Sequence, residues 1–127
     1  MTEGNLSCVL LADSHHGLTE GVRGLLATVF GTVVMVADET SLVEGAGRLQ
    51  PELVVVDLAL ARDKGLGWLS ELRIRCPALK VVVLSIHDEP AVRAAALSAG
   101  ADAFVLKRLI ATDLLAAIAT VRDGSGL

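Results

Sequence analysis

The chain has 127 residues, 53% of them hydrophobic, and a formal charge of −4 from 11 Lys and Arg against 15 Asp and Glu. That length fits one domain whose core needs no disulfide or metal staple, and the apolar fraction excludes a disordered chain. An acidic balance without a basic cluster argues against direct nucleic-acid binding, which draws most of its affinity from phosphate contacts, and suits magnesium or a basic partner better.

From the N-terminus, MTEGNLS lacks a charged region followed by an apolar one, so no signal peptide is expected. No apolar stretch reaches membrane-spanning length, and a soluble cytoplasmic protein is the expectation. The first apolar run is Cys8–Ala12 (CVLLA). Leu18, Val22, Leu25, Leu26 and Val29 then follow the spacing of one helix face. A second run, Val33–Ala37, precedes a helix that Thr40 or Ser41 would cap, with Leu42, Val43, Ala46 and Leu49 on its buried side. Leu53–Val56 is the third run, and Leu66, Leu69 and Leu72 mark a third helix. After the fourth run, Val81–Leu84, Pro90 opens a helix that Gly100 ends. The fifth run is Ala103–Leu106, and the last helix starts near Ala111 or Thr112 and carries Leu114, Leu115, Ile118 and Val121. The Asp123–Leu127 tail reads as a frayed end or the start of a linker.

The five runs are short, β-branched and unalternating, as parallel strands covered on both faces are. Five strand–helix pairs predict a doubly wound α/β sheet with right-handed crossovers. Periodicity leaves the strand order open. With only Phe30, Trp68 and Phe104 as aromatics, the core must be aliphatic. Cys8 and Cys76 have no metal-ligand spacing and read as reduced thiols.

Ligands of open α/β sheets bind beyond the carboxyl ends of the strands. Four strand ends there deliver Asp13, Asp57, Ser85 and Lys107. Adjacent carboxylates repel unless a cation lies between them, and a hard divalent cation takes oxygen ligands. A lysine neutralises one carboxylate or pairs with a phosphoryl oxygen, and a hydroxyl donates to another. Phosphoryl transfer needs mainly positioning and charge neutralisation, so this set suffices. Each residue has a plainer reading: Asp13 as a helix cap, Ser85 as a strand-end hydroxyl bonded to backbone, Lys107 as a solvated surface lysine. Their joint placement at four strand ends favours a site.

These segments resemble the receiver domain of two-component response regulators over about residues 5–123. LLADSHHGLTEGVRGLL looks like the family's first strand, acid pocket and first helix. PELVVVDLAL looks like the phosphoacceptor strand, with Gly65 matching the glycine of the next loop. VVVLSIHDEPAVRAAALSAGADAFVLK looks like the fourth and fifth strands with the switch hydroxyl and lysine. The wording is most similar to the NarL/FixJ-type subgroup with LuxR-type output. The resemblance implies a flavodoxin-like (CheY-like) fold of five parallel strands in order 2-1-3-4-5 with five helices. It implies that Asp57 accepts phosphate from a sensor histidine kinase. Ser85 would be the switch hydroxyl, Lys107 the phosphate-contacting lysine and Phe104 the rotating aromatic, with plain core packing of Phe104 a compatible reading. Magnesium (Mg2+) would be held by Asp13, Asp57 and the Ala59 carbonyl.

Several positions depart from the family pattern. Ser14 stands where a second acid usually follows Asp13, which weakens the magnesium site. Ala61 and Arg108 replace two common prolines. Ile86, beside the switch hydroxyl, would narrow access to Asp57, and Ala59 and His87 occupy positions that tune phosphate lifetime. Ala59 offers no side chain to orient water, so slow self-dephosphorylation is expected. The alternative is an atypical receiver that acts through protein contacts without routine phosphorylation. The competent reading is preferred because Asp13, Asp57, Ser85 and Lys107 all survive. A flavin-binding domain of the same topology is disfavoured, since Asp13 to His16 suit no anionic phosphate, and a site built from His15, His16 and His87 is less favoured than solvated loop histidines. Glycines at Gly45, Gly47, Gly65 and Gly67 do not follow a strand in the dinucleotide arrangement.

The expected protein is a signalling domain rather than an enzyme. It would dimerise on activation; Glu89, Arg93, Arg108 and Asp113 could form a charged dimer surface, but scattered exposed charges are the default explanation. It would meet DNA only through an output domain absent from this chain, which makes 1–127 a single receiver domain.

Overall fold

The computed structural model describes residues 7–13, 16–61 and 66–123, except the side chains of 16–19, 61 and 123. Ser14, His15 and Gly65 lie outside the described residues. The elements are β1 (Cys8–Ala12), α1 (His16–Ala27), β2 (Thr32–Val36), α2 (Glu39–Leu49), β3 (Leu53–Asp57), α3 (Gly67–Arg75), β4 (Lys80–Ser85), α4 (Pro90–Ala99), β5 (Ala103–Leu106) and α5 (Ile110–Asp123). Short 3-10 turns follow β3 at Leu58–Ala61 and β5 at Lys107–Leu109.

All five strands are parallel, in the order β2-β1-β3-β4-β5. This is the flavodoxin-like arrangement. The central strand is buried at every position, as its unbroken LVVV run requires. Each fully buried Val or Leu there contributes roughly 1.5–3 kcal/mol. Alternation along the strands splits the core in two. Leu10, Val54, Val81, Val83 and Phe104 face α2, α3 and α4, packing with Leu42, Leu69, Leu72 and Ala96. Val9, Leu53, Val55, Leu84 and Val105 face α1 and α5, packing with Val22, Leu26, Leu114 and Ile118.

Local signals differ from expectation in a few places. Asp38, not Thr40 or Ser41, caps α2: its Oδ1 accepts the Ser41 N–H at 2.8 Å. Ser41 is thus the third helical residue, whose free amide a cap must satisfy. That amide bond also lowers the Asp38 pKa. β2 begins one residue early because Thr32 pairs with Cys8. Leu66 precedes α3 rather than opening it. Pro90 opens α4 as expected, and Gly100 ends it at φ 126°, a conformation side chains rarely adopt. A Cβ on Gly100 would lie 2.5 Å from Cγ of Arg73. Arg73 itself reaches from α3 to the Leu79 carbonyl and to Asp102, whose carboxylate accepts the Val81 N–H.

Candidate phosphoacceptor site

Among the described residues, the buried polar or charged ones are Asp13, Asp57 and Ser85, exposed by 6%, 2% and 1%. Their burial costs free energy unless each is paired, so their coincidence at one sheet edge needs a cause. The register supplies the geometry. Ala12 pairs with Val56, so the next residues, Asp13 and Asp57, come alongside each other. Leu84 pairs with Asp57, which places Ser85 just beyond it, and Ser85 pairs with Leu106, next to Lys107.

Lys107 Nζ lies 2.7 Å from Asp57 Oδ2 and 3.8 Å from Asp13 Oδ2. Its side chain is 9% exposed, which overturns the reading of a solvated lysine. Asp57 Oδ1 accepts the Ala59 N–H at 3.0 Å. Burial alone would raise the Asp57 pKa. The Lys107 hydrogen bond and charge, the Ala59 amide and a weaker bond with Asp13 outweigh burial and hold it below the usual carboxylate range. Asp57 is therefore ionised at neutral pH, the form a nucleophilic carboxylate needs.

Ser85 Oγ accepts the His87 N–H at 2.9 Å and bonds the His87 carbonyl at 3.2 Å. This backbone-bonded state matches the plainer reading of a strand-end hydroxyl. Ser85 nevertheless lines the cleft that holds Asp57. That cleft, of about 210 Å³, is bounded by Asp57, Leu58, Ala59, Ser85, Ile86, His87 and Lys107. Ile86 stands at its mouth and is 69% exposed, so most of its side chain faces solvent. His87 is also exposed and lies 3.7 Å from Glu89. A larger cleft of about 580 Å³ lies at the amino end of the strands, lined by Pro51, Glu52, Cys76 and Arg122 among others. It contains none of the buried carboxylates, so charge rather than volume locates the site.

Phe104 is buried against Val83 on the α4 side of the sheet, consistent with core packing. Ser85 is two residues beyond Val83 and therefore projects to the same side. Arg108, in the turn after β5, pairs with Asp88 at 3.0 Å and joins two loops beside the cleft. Sequence reasoning missed Leu58 as a lining residue, although its place directly after Asp57 was a usable signal. It also missed the His87 backbone as the partner of Ser85, which no residue type announces.

Among the described residues, no three His, Cys, Asp or Glu side chains cluster as a metal site. Two buried carboxylates beside one ammonium leave a formal charge of −1, and both offer oxygen. A hard divalent cation that keeps several waters fits that donor set.

The receiver-domain pattern of response regulators matches residues 9–119, and the chain belongs to that family. It is 30% identical over 118 residues to the transcriptional regulatory protein DegU of Brevibacillus brevis, covering 91% of this chain and 50% of that one. A two-component response regulator of the LuxR family from Aurantimonas superposes with a TM-score of 0.84 at 27% identity, over 93% of this chain and 86% of that one. The isolated receiver domain of RcsB from Salmonella enterica serovar Typhimurium, solved with the phosphomimetic BeF3-, superposes with a TM-score of 0.80 at 27% identity, over 93% and 89%. The chain spans about half the length of the curated relatives it matches. It is a signalling receiver domain of the kind that transcription regulators carry. None of the helices described is long and apolar enough to cross a membrane.

Proposed function

We propose that Asp57 accepts a phosphoryl group from a phosphohistidine on a sensor kinase. An Asp57 oxygen attacks phosphorus as the P–N bond breaks, the electron pair leaves with the imidazole nitrogen, and an acyl phosphate remains. The observation that carries this reading is the contact of Lys107 with a buried, ionised Asp57 beside Asp13. Lys107 transfers its hydrogen bonds from the carboxylate to a phosphoryl oxygen. Ser85 exchanges its bond to the His87 carbonyl for one to a second phosphoryl oxygen. Asp13, Asp57 and the Ala59 carbonyl would hold Mg2+, which neutralises phosphoryl charge when bound. Ser14 would leave its position to water or its hydroxyl. Ala59 contributes no side chain to direct water, which favours a long-lived phosphoryl group, and Ile86 and His87 tune access at the rim.

Movement of Ser85 and Phe104 then shifts the population of surface packings on the α4 side. In the cytoplasm of a longer regulator, that shift would favour a homodimer and place a separate output domain on DNA. Chain 1–127 would be the receiver portion. The test is labelling with acetyl phosphate or a phosphorylated kinase. Stoichiometric, magnesium-dependent label in the parent, absent in Asp57→Ala, is expected. No label at high magnesium overturns the proposal.

A further inference from the structure

Both phenylalanines of the chain lie beneath a guanidinium, Phe30 under Arg122 at 4.9 Å from the ring centroid and Phe104 under Arg93 at 5.6 Å. The two arginines are not equivalent. Arg122 is also held by Glu52 at 2.7 Å. Arg93 is exposed and forms no ion pair among the described residues, so the Phe104 ring is the group its charge meets besides solvent.

The roof over Phe104 is otherwise thin. In PAVRAAALSA, Ala96 is the buried residue of α4, and Val92 and Ala99 are partly buried against the same cluster. Small side chains cannot grip a phenyl ring from above. A guanidinium is planar, weakly hydrated and attracted to the negative face of an aromatic ring. Meanwhile Phe104 shares its side of the sheet with Ser85, one pleat away on the neighbouring strand. A ring between a movable hydroxyl and a single cation is poised between two influences.

We propose that Arg93 is a positioning residue for Phe104. Its guanidinium holds the ring in the packing described and sets how readily the ring yields when Ser85 turns toward Asp57. The inference rests on the reading of Phe104 as the responsive aromatic. Removing the cation raises the population of the displaced ring by about two- to five-fold, the range expected of an exposed cation–aromatic contact. By linkage, a ring already loosened favours the phosphoryl-bound packing, so labelling by acetyl phosphate accelerates by up to the same factor.

The test uses protein carrying 4-fluorophenylalanine, which gives two fluorine resonances, assigned with Phe30→Leu. The parent, Arg93→Gln and Arg93→Lys are compared with and without beryllium fluoride and magnesium. The expected result is a shift of the Phe104 resonance in Arg93→Gln in the direction that beryllium fluoride produces in the parent. Arg93→Lys, which keeps a cation, restores most of it, and Phe30 stays still. Urea midpoints and Trp68 fluorescence check the fold. An unmoved Phe104 resonance in Arg93→Gln overturns the inference, as do equal shifts in Gln and Lys, which would assign the effect to the shape of the guanidinium and not to its charge. If beryllium fluoride moves nothing in any of the three proteins, the phosphoacceptor reading fails instead. The difference between Arg93→Gln and the parent still decides the role of Arg93.

Discussion

Lys107 and Asp57, 50 residues apart in sequence, meet through a 2.7 Å hydrogen bond with side chains only 9% and 3% exposed. Asp13 stands 3.8 Å from the same ammonium. The site therefore holds one more negative than positive group in a place where water screens little, and the two partners do not contribute alike.

Lys107→Ala strands two carboxylates without a counter-charge. Breaking a buried pair by deleting one member costs roughly 3 kcal/mol. Asp57→Asn leaves Lys107 balanced by Asp13 and costs about 1 kcal/mol or less. Urea denaturation at neutral pH measures both. Equal losses in the two variants contradict the charge accounting.

The same pair sets an acid limit. The folded pKa of Asp57 is depressed relative to an unfolded value of about 3.9, so the native state binds this proton less readily than the unfolded chain does. Its stabilising contribution is complete above about pH 5 and is lost as pH falls through the lower, folded value. The stability difference between parent and Asp57→Asn is expected to stay constant from pH 7 to 5 and to shrink below about pH 4. A difference that grows on acidification has the wrong sign for this assignment.

Asp13→Asn keeps shape and removes a charge. The remaining oxygen set is neutral overall once Lys107 is counted, so magnesium affinity should fall by about tenfold or more. Magnesium titration of the labelling rate reports this. Unchanged affinity places the cation elsewhere.

Gly100→Ala meets two obstacles, a φ of 126° and an Arg73 side chain 2.5 Å from the new methyl group. The expected loss is about 2 kcal/mol. Arg73→Ala in the same background removes the steric part, so the double variant should lose less than the sum of the two single variants.

Much of this architecture was legible in sequence because the strands are buried on both sides and read as plain aliphatic runs. Polar residues at strand ends concealed their own pairing. The fourth strand outruns its aliphatic run Val81–Leu84, since Lys80 and Ser85 also belong to the ladder. The choice between Asp38 and Ser41 as a cap depends on where the first helical dihedral falls, and both residue types qualify. Asp13, Asp57, Ser85 and Lys107 were readable as a group because a parallel sheet delivers every strand terminus to one rim. The arginine over Phe104, the hold of His87 on Ser85, and the Arg73 bridge to Leu79 and Asp102 were not. Each depends on side-chain rotamers and on elements that only the fold brings together.

The separation of the core into two layers has one more consequence. Leucine-rich packing between α1, α5 and the sheet is further tied by Arg122 to Glu52 and Phe30. Under α4 the other layer is closed by smaller side chains, with Ala96 buried and Val92 and Ala99 partly buried against it. The sheet is thus a bulkhead: a shift of Phe104 of the kind proposed would be absorbed among those small side chains, with the leucine-rich compartment behind it as the frame.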